Sequence, residues 1–184
     1  LKPSRLIILD QSESALTELQ LECHEHYNAP FVTAVLGDVC DHLKLTDLFE
    51  RYRPEVIFHA AAYKHVPMVE HFPEEGVKVN VLGTRALAQM ATQYSTGKFV
   101  MVSTDKAVNP TNVMGATKRV AELLIQSLDT ISPTSFITTR FGNVLGSNGS
   151  VVPRFREQIR QGGPLTVTHP DITRYFMTIS EASR

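Results

Sequence analysis

The sequence predicts an α/β fold with a parallel, doubly wound sheet, and three observations lead to that prediction. Short apolar runs recur between residues 6 and 139, as expected of strands that are buried on both faces of a parallel sheet. The segments between these runs carry apolar residues at helical spacing. Polar, small or helix-breaking residues close the runs. Strands that alternate with helices imply right-handed βαβ crossovers and helices on both faces of the sheet.

The boundaries of the predicted elements follow from these runs and from capping residues. The predicted strands cover residues 6–9, 31–36, 56–58, 99–102 and 135–139. The predicted helices begin near Ser12 or Ser14, Asp41, Pro73 and Met114. The expected inward faces are Leu16, Leu19 and Leu21 in the first helix, and Val77, Val81, Leu82, Ala86 and Met90 in the long helix after Pro73.

The last part of the chain, from Gly142 on, is rich in loops. It is predicted to hold a helix near residues 153–161, a short strand at residues 165–167 and the start of a further helix capped by Ser180. Because the chain enters a strand almost at once and stops as a helix begins, we expect it to be a piece of a longer protein. No Gly-x-Gly-x-x-Gly motif occurs, so the phosphate-binding loop and the strand before it are expected upstream of Leu1.

The composition argues against several classes of function. The chain has 184 residues, of which 42% are hydrophobic and 20% charged, and its net charge of −1 offers no basic surface for nucleic acid. No apolar run is long enough to span a bilayer, and no segment shows the charged and apolar regions that would mark a signal peptide. Cys23 and Cys40 lack the spacing of paired ligands, which indicates a reduced, cytoplasmic chain. The seven histidines form no metal-binding motif, so no metal site is expected.

The strongest indication of chemistry is the segment Ser103–Lys106, at the carboxyl end of the fourth predicted strand. Ligands bind at this end of the strands in open α/β sheets. Asp105 can act as a general acid and Lys106 as a general base if their surroundings bring both pKa values toward neutrality. A solvated ion pair is the alternative interpretation of these two neighbours.

Lys118 lies one helical turn after Met114, on the same face of the predicted helix. In a Tyr-x-x-x-Lys pair, the lysine lowers the tyrosine pKa and holds the ribose of a nicotinamide cofactor. Met114 cannot lose a proton, so Lys118 is expected to keep only the second role. The alternative interpretation is that Met114 is simply a core residue at helical spacing.

Cofactor-binding candidates follow the first three predicted strands. Asp10 is placed to bind the adenosine ribose and to favour NAD over NADP, although it could also be a turn aspartate. Asp38 and Val39 are candidates for the adenine, with a cap or turn as the alternative. Small side chains at Ala60, Ala61 and Ala62 would let the backbone approach a cofactor. Lys64 and His65 follow them and could bind an anionic part of the cofactor or of a sugar nucleotide.

A second group of polar and glycine residues follows the fifth strand and is suited to a diphosphate or a sugar. It comprises Arg140, Asn143, the glycine-rich segment 146–153 with Ser150 and Val151, and Arg174. Arginine binds phosphate in a bidentate manner. For Arg174, a surface ion pair is the alternative.

Taken together, these motifs resemble the extended short-chain dehydrogenase/reductases. More narrowly, they resemble the polysaccharide-biosynthesis nucleoside-diphosphate-sugar dehydratases of the UDP-N-acetylglucosamine 4,6-dehydratase type, whose large, membrane-anchored bacterial members often carry methionine at the position of Met114. The motifs that carry the resemblance are residues 59–67, 103–107, 109–110, 114–118, 140–143 and 146–153. They span nearly the whole chain.

The resemblance implies a Rossmann-like fold with an NAD-binding domain over residues 1–142 and the start of a substrate-binding region over residues 143–184. It implies NAD as cofactor, with NADP less favoured, and a UDP-sugar as substrate. Asn80, Ser103 and Arg140 join the implied cofactor contacts, and Lys118 is counted both there and among the catalytic residues with Met114. The resemblance also implies a homo-oligomer, and a cytoplasmic domain that the whole protein could anchor to the inner membrane.

The implied reaction has three steps on a UDP-linked N-acetylhexosamine. NAD takes hydride from C4, Lys106 removes the C5 proton while Asp105 protonates the departing C6 hydroxyl, and the hydride returns to C6. The O4 proton is expected to go to Asp105, or to pass through Thr104. Three alternatives stay open: dehydration with inversion at C5, C4 epimerisation, and a non-catalytic NAD-binding regulator. The pair Asp105–Lys106 argues against a plain epimerase, which needs no elimination.

Overall fold

The computed structural model describes residues 3–27, 30–146, 151–167, 169–171 and 173–183, and it confirms the predicted α/β fold. The described strands are β1 (Leu6–Asp10), β2 (Val32–Leu36), β3 (Val56–His59), β4 (Lys98–Thr104), β5 (Ser135–Phe141), β6 (Asn143–Val144) and β7 (Phe176–Met177). The described α-helices are α1 (Glu13–Glu25), α2 (His42–Tyr52), α3 (Val66–His71), α4 (Pro73–Val77), α5 (Thr84–Gln93), α6 (Val113–Asp129), α7 (Val151–Arg160) and α8 (Ile179–Ala182).

The chain divides into two compact units, Leu1–Thr139 and Arg140–Arg184. In the first unit, β1 and β2 pair in parallel, with Leu6 opposite Val32, and β3 pairs in parallel with β4, with Val56 opposite Lys98. β5 adjoins β4. The predicted strands therefore lie in a two-stranded and a three-stranded sheet, and no strand pairing among the described residues joins the two. In the second unit, β6 and β7 form a short parallel pair.

The core of the first unit packs on β4. Phe99, Met101 and Ser103 alternate along this strand and are all buried, as the twofold period of a strand requires. Phe99 contacts the ring of Phe136 with centroids 5.2 Å apart. The other core side chains come from the loop after β2 and from the helices and the segment between α4 and α5: Val39, Leu45, Phe49, Val79, Leu87, Ala88, Met90, Ala91, Ala121 and Ile125.

The caps predicted for the first two helices are confirmed, but one of the predicted faces is wrong. Ser12 accepts a hydrogen bond from the backbone of Ala15 at the start of α1, and Asp41 caps α2. In α1, only Leu16 is buried, whereas Leu19 and Leu21 are exposed. A regular apolar spacing does not by itself bury a helix face, since burial also needs a packed neighbour.

The long helix predicted after Pro73 is interrupted by a π-helical segment, Lys78–Gly83, between α4 and α5. The π-helix holds more residues per turn than an α-helix, so the positions after it face a different direction. Val77, just before this segment, and Leu82, within it, are exposed, whereas Val81 and Ala86 are half-buried and Met90 is buried. The inward face of the π-helical segment is built instead from Val79, Asn80 and Gly83.

Two predictions for the end of the chain are wrong. Residues 165–167 form no strand, because the backbone and side chain of Thr166 bond to the side chain of Gln158. α8 is capped by Thr178 rather than Ser180, in a capping box with Glu181. The short elements α3, β6 and β7 were not predicted. None of the described helices is long and apolar enough to cross a membrane.

Candidate active site

The segment that the sequence singled out forms a tight turn at the end of β4. β4 ends at Thr104, and Asp105–Ala107 continue as one turn of 3₁₀-helix. The Thr104 hydroxyl and the Lys106 Nζ both donate to Oδ1 of Asp105, each at 2.9 Å. Burial would raise the pKa of Asp105, but the hydrogen bonds from Lys106 and Thr104 and the charge of Lys106 outweigh it and hold the pKa below its usual value. Asp105 is therefore a carboxylate in an ion pair.

The first turn of α6 packs directly against this turn. Asn112 caps the helix by accepting from the Gly115 backbone N–H at 2.8 Å. A Cβ at Gly115 would fall on the backbone carbonyl of Lys106, so only glycine allows this approach. Glu70 of α3 also accepts from the backbone N–H of Val113 at 2.6 Å. The backbone of Lys106 and the start of α6 are thus held together.

Lys118 reaches the same end of β4 from the next turn of α6. Its Nζ donates to the carbonyl oxygen of Val102 at 2.8 Å, two residues before Thr104. Burial lowers the pKa of Lys118 to about 8, although the negative charge of Glu122 acts in the opposite direction. Met114 is buried as well. The structure therefore brings Lys118 to the strand that carries Thr104, while the catalytic roles of Met114 and Lys118 stay predictions.

Sequence reasoning missed Glu122, whose side chain has 0% exposure. The Ser103 hydroxyl donates to its Oε1 at 2.6 Å, and Arg119 Nη1 donates to its Oε2 at 3.0 Å. The available signal was an acid four residues after Lys118 that stands between the apolar residues Ala121 and Leu123. Ser103 had been predicted to contact the cofactor. In the structure the Ser103 hydroxyl donates its proton to Glu122. The contact of Ser103 with the cofactor stays a prediction.

The loop that follows β3 starts from a buried histidine. Nε2 of His59 lies 2.7 Å from the Thr84 hydroxyl, which donates its own proton to the carbonyl of Asn80 at 2.7 Å. Since the hydroxyl has a single proton, His59 is the donor and carries its proton on Nε2. Burial, together with the charge of Lys118, lowers the pKa of His59 to about 3. His59 is therefore neutral and serves to anchor the loop.

Asn80 anchors the other end of the same loop. Its Oδ1 accepts from the backbone N–H of Tyr63 at 2.8 Å, and its Nδ2 donates to the Tyr63 carbonyl and to the Thr117 hydroxyl, each at 3.0 Å. Both amide protons are thus used within the protein. The predicted contact of Asn80 with the cofactor is untested, and the contacts described here tie the loop after β3 to α6, next to Lys118.

The remaining cofactor candidates of the first unit lie in turns after the strands. Oδ1 of Asp10 accepts from the Ser12 N–H, and Oδ1 of Asp38 accepts from the Cys40 N–H, each at 2.8 Å. These are turn contacts, and they leave the predicted roles untested. Val39 is a core residue packed near Gly83. Ala60 and Ala61 are exposed and Ala62 is half-buried.

Lys64 and His65 are exposed between this loop and α3, where His65 is the N-cap residue without a side-chain cap bond. A run of small, exposed residues at a strand end lets the backbone approach a ligand closely. The chain therefore fits a dinucleotide in two respects. It has small side chains after β3, where a ligand can approach the backbone, and it has a buried lysine beside the neighbouring strand.

The second unit carries the remaining candidates. The Asn143 backbone N–H donates to the Tyr175 carbonyl at 3.0 Å, and Arg174 Nη1 donates to the Thr173 carbonyl at 3.1 Å. Arg140 is exposed, and Val151 opens α7. Ser150 and residues 147–149 lie outside the described residues. The binding roles of all these residues stay predictions.

Comparison with known proteins identifies the family of this chain. The family model described as "Polysaccharide biosynthesis protein" matches residues 1–184. The chain belongs to this family. The resemblance stated from the motifs is thereby confirmed.

Several relatives match most or all of the chain. It is 50% identical to the probable polysaccharide biosynthesis protein EpsC of Bacillus subtilis over 184 residues, which are 100% of this chain and 31% of the relative. It is 37% identical to a UDP-glucose 4-epimerase of Rickettsia bellii (84% of this chain, 46% of the relative). It is 35% identical to an inverting UDP-N-acetylglucosamine 4,6-dehydratase of Campylobacter jejuni (98% and 53%). The chain thus spans about a third to a half of these relatives.

Solved structures agree on the fold. Pen from Bacillus thuringiensis superposes with a TM-score of 0.92 at 35% identity, over 99% of this chain and 57% of that one. DesIV, a dTDP-glucose 4,6-dehydratase from Streptomyces venezuelae solved with NAD, gives a TM-score of 0.87 at 21% identity, over 100% and 62%. The second likeness supports the fold alone.

Proposed function

We propose that this chain supplies the catalytic centre for an NAD-dependent 4,6-dehydration of a UDP-N-acetylhexosamine in polysaccharide biosynthesis. The observation that carries the proposal is the acid–base pair at the end of β4, in which Asp105 accepts from both Lys106 and Thr104. Loss of water across C5 and C6 needs one group to remove the C5 proton and another to protonate the leaving oxygen. Two adjacent side chains of opposite charge at a strand end supply both.

NAD, when bound, would accept a hydride from C4 and return it to C6. The residues proposed to hold it are Asp10 at the ribose, the exposed backbone of Ala60 and Ala61, and Lys118. The small side chains after β3 and the buried Lys118 beside β4 support this assignment. The acid at the end of β1 favours NAD over NADP, because a carboxylate repels a 2′-phosphate.

The hydrogen bond from Thr104 to Asp105 suggests the route of the O4 proton. Thr104 Oγ1 takes the proton from O4 while it passes its own proton to Oδ1 of Asp105, 2.9 Å away. The depressed pKa of Asp105 means that its carboxyl group is ionised and has a site for this proton. Met114 has no proton to exchange, so this route also explains how the site works without a tyrosine.

The elimination of water then uses the proton that Asp105 has received. Asp105 gives the proton from O4 to the C6 hydroxyl, which leaves as water, while Lys106 removes the proton from C5. The ammonium group of Lys106 exchanges its protons with water and later delivers one proton to C5, so the pair ends as it began. Lys106 must act as the free amine, and one proton therefore leaves the Asp105–Lys106 pair before the elimination.

A C4-epimerase is the second candidate, favoured by the 37% identity to a relative named as a UDP-glucose 4-epimerase. The 35% identity to a relative named as an inverting UDP-N-acetylglucosamine 4,6-dehydratase favours dehydration. The two reactions differ at C5. Dehydration exchanges the C5 proton with the enzyme, whereas epimerisation at C4 leaves C5 untouched.

The test is to incubate the intact protein with UDP-N-acetylglucosamine and NAD in D2O and to follow the sugar by NMR. We expect a 4-keto-6-deoxy product with deuterium at C5, whose configuration tells retention from inversion. A C4 epimer without deuterium would establish the second candidate and overturn the role of Asp105 and Lys106. Asp105→Asn should abolish product formation, and Asp47→Asn, on an exposed position of α2, is the matched control.

A further inference from the structure

A buried carboxylate in α6 has no part in the reaction described so far. Glu122 lies one turn after Lys118, and its side chain has 0% exposure. Burial of an ionised group costs on the order of several kcal/mol, unless the group is paired and hydrogen-bonded. Its partners therefore indicate what the carboxylate does.

The first partner belongs to the strand that ends in the catalytic turn. Ser103 donates to Oε1 of Glu122 at 2.6 Å, a short hydrogen bond of the kind formed by a hydroxyl with a charged acceptor. Ser103 immediately precedes Thr104. The helix thus holds the strand at two successive residues, since Lys118 also donates to the carbonyl of Val102 at 2.8 Å. Any shift of this strand end would move Thr104, Asp105 and Lys106 together.

The second effect of Glu122 is on the protonation of Lys118. Lys118 is a buried ammonium group, and Glu122 on its own helix raises the Lys118 pKa against the effect of burial. Of the described residues near the pair, His59 at the end of β3 is neutral, and Arg119 forms an ion pair with Glu122 by donating to its Oε2 at 3.0 Å. The charge of Glu122 therefore opposes part of the effect of burial on Lys118.

We propose that Glu122 is a positioning residue of this active site. Through Ser103 it fixes the end of β4 from which the catalytic turn starts, and its negative charge stabilises the ammonium form of Lys118. The effect on turnover rests on the proposed function, whereas the effect on Lys118 does not.

Glu122→Gln tests both parts, because it keeps the shape of the side chain and removes its charge. The pKa of Lys118 is read in the intact protein from the pH titration of its 13Cε NMR signal, which is assigned with Lys118→Arg. We expect a lower titration midpoint than in the wild type. We also expect kcat to fall on the order of 100-fold, as small displacements of catalytic groups cause, with KM changed by no more than about twofold.

Two further variants separate the two parts. Ser103→Ala removes the hydrogen bond and keeps the charge, so kcat should fall while the Lys118 midpoint stays at its wild-type value. Glu50→Gln, on an exposed position of α2, makes the same chemical change away from the site and should alter neither quantity.

The proposal is overturned if Glu122→Gln folds and keeps both the wild-type kcat and the wild-type Lys118 midpoint. If Glu122→Gln does not fold, Ser103→Ala decides, and a wild-type kcat in that variant overturns the proposal. If the wild-type protein turns over no nucleotide sugar, the proposed function fails. The Lys118 titration then still decides whether Glu122 sets the charge state of Lys118.

Discussion

Two lysine–carboxylate arrangements lie at the end of β4, and they differ in exposure. At the turn, Lys106 and Asp105 are in direct contact at 2.9 Å, with side-chain exposures of 28% and 36%. In α6, Lys118 and Glu122 are buried, and each is hydrogen-bonded to a different residue of the strand, Val102 and Ser103. A lysine and a carboxylate are thus placed once at the surface of the site and once inside the protein.

The difference separates a pair that can exchange protons from a pair that holds the structure. An exposed pair can meet a substrate and lose or gain a proton at little cost in stability. A buried pair is costly to disrupt, because removal of one partner leaves an uncompensated charge. We therefore expect changes at the turn to reduce turnover with little loss of stability, and changes in α6 to alter the charge and position of the groups around it.

The largest effect is expected from Lys106→Ala. Loss of the group proposed to remove the C5 proton should lower kcat about 10²- to 10⁴-fold, the usual contribution of a general base. The free energy of unfolding, measured in urea, should change by less than about 1 kcal/mol, because the ion pair is partly exposed. Lys98→Ala, at the exposed start of the same strand, is the matched control. Wild-type turnover in Lys106→Ala would remove the turn from the mechanism.

The next effect concerns the proton route through Thr104. Thr104→Val keeps the shape of the side chain but removes the hydroxyl that donates to Asp105, so kcat should fall about 10²-fold if the route is used. Thr104→Ser keeps the hydroxyl and should retain most of the activity. Steady-state kinetics of both variants would settle the point, and unchanged turnover in Thr104→Val would rule out the relay.

A smaller effect is expected in the buried region, at His59. Its pKa is about 3 in the folded protein and about 6.5 when unfolded, so the unfolded state binds the extra proton first as the pH falls. The stability that His59 contributes is complete above pH 6.5 and is lost progressively down to about pH 3. Between pH 7 and pH 5 this amounts to about 2 kcal/mol.

His59→Gln should remove this pH-dependent part. The measurement is urea unfolding of the wild type and of His59→Gln at both pH values. The difference between the two proteins isolates the histidine from the other titrating groups. An equal loss of stability in both proteins would mean that His59 accepts a proton in the folded state.

The sequence was sufficient to predict the fold class and the place of the turn, because both depend on local pattern. Thr104, Asp105 and Lys106 follow an apolar run, and parallel strands bring such ends to one edge of a sheet. The π-helical segment was not predictable in this way. A helical period read through residues 77–90 assigns Leu82 to the interior, but Leu82 lies in the wider turn of Lys78–Gly83 and is exposed.

The partners of buried polar groups were also beyond the sequence. Asn80 and Glu122 each bond to residues far along the chain, Asn80 to Thr117 and Glu122 to Ser103. Spacing along one helix can flag a buried acid, but it does not say which strand residue lies opposite. The role of Ser103 therefore became visible only when β4 and α6 were placed side by side.

The smallest effect is expected from Met114→Tyr, which introduces a side chain that can exchange a proton at the start of α6. The variant restores the Tyr-x-x-x-Lys spacing with Lys118, and the buried side chain becomes larger by a ring and a hydroxyl. We expect part of the activity to survive, with kcat within about tenfold of the wild type, because the proposed route through Thr104 and Asp105 does not use Met114. Turnover and unfolding in urea should be measured together. A well-folded but inactive Met114→Tyr would mean that the pocket depends on methionine, and that the turn at Asp105 does not act independently of the buried side of α6.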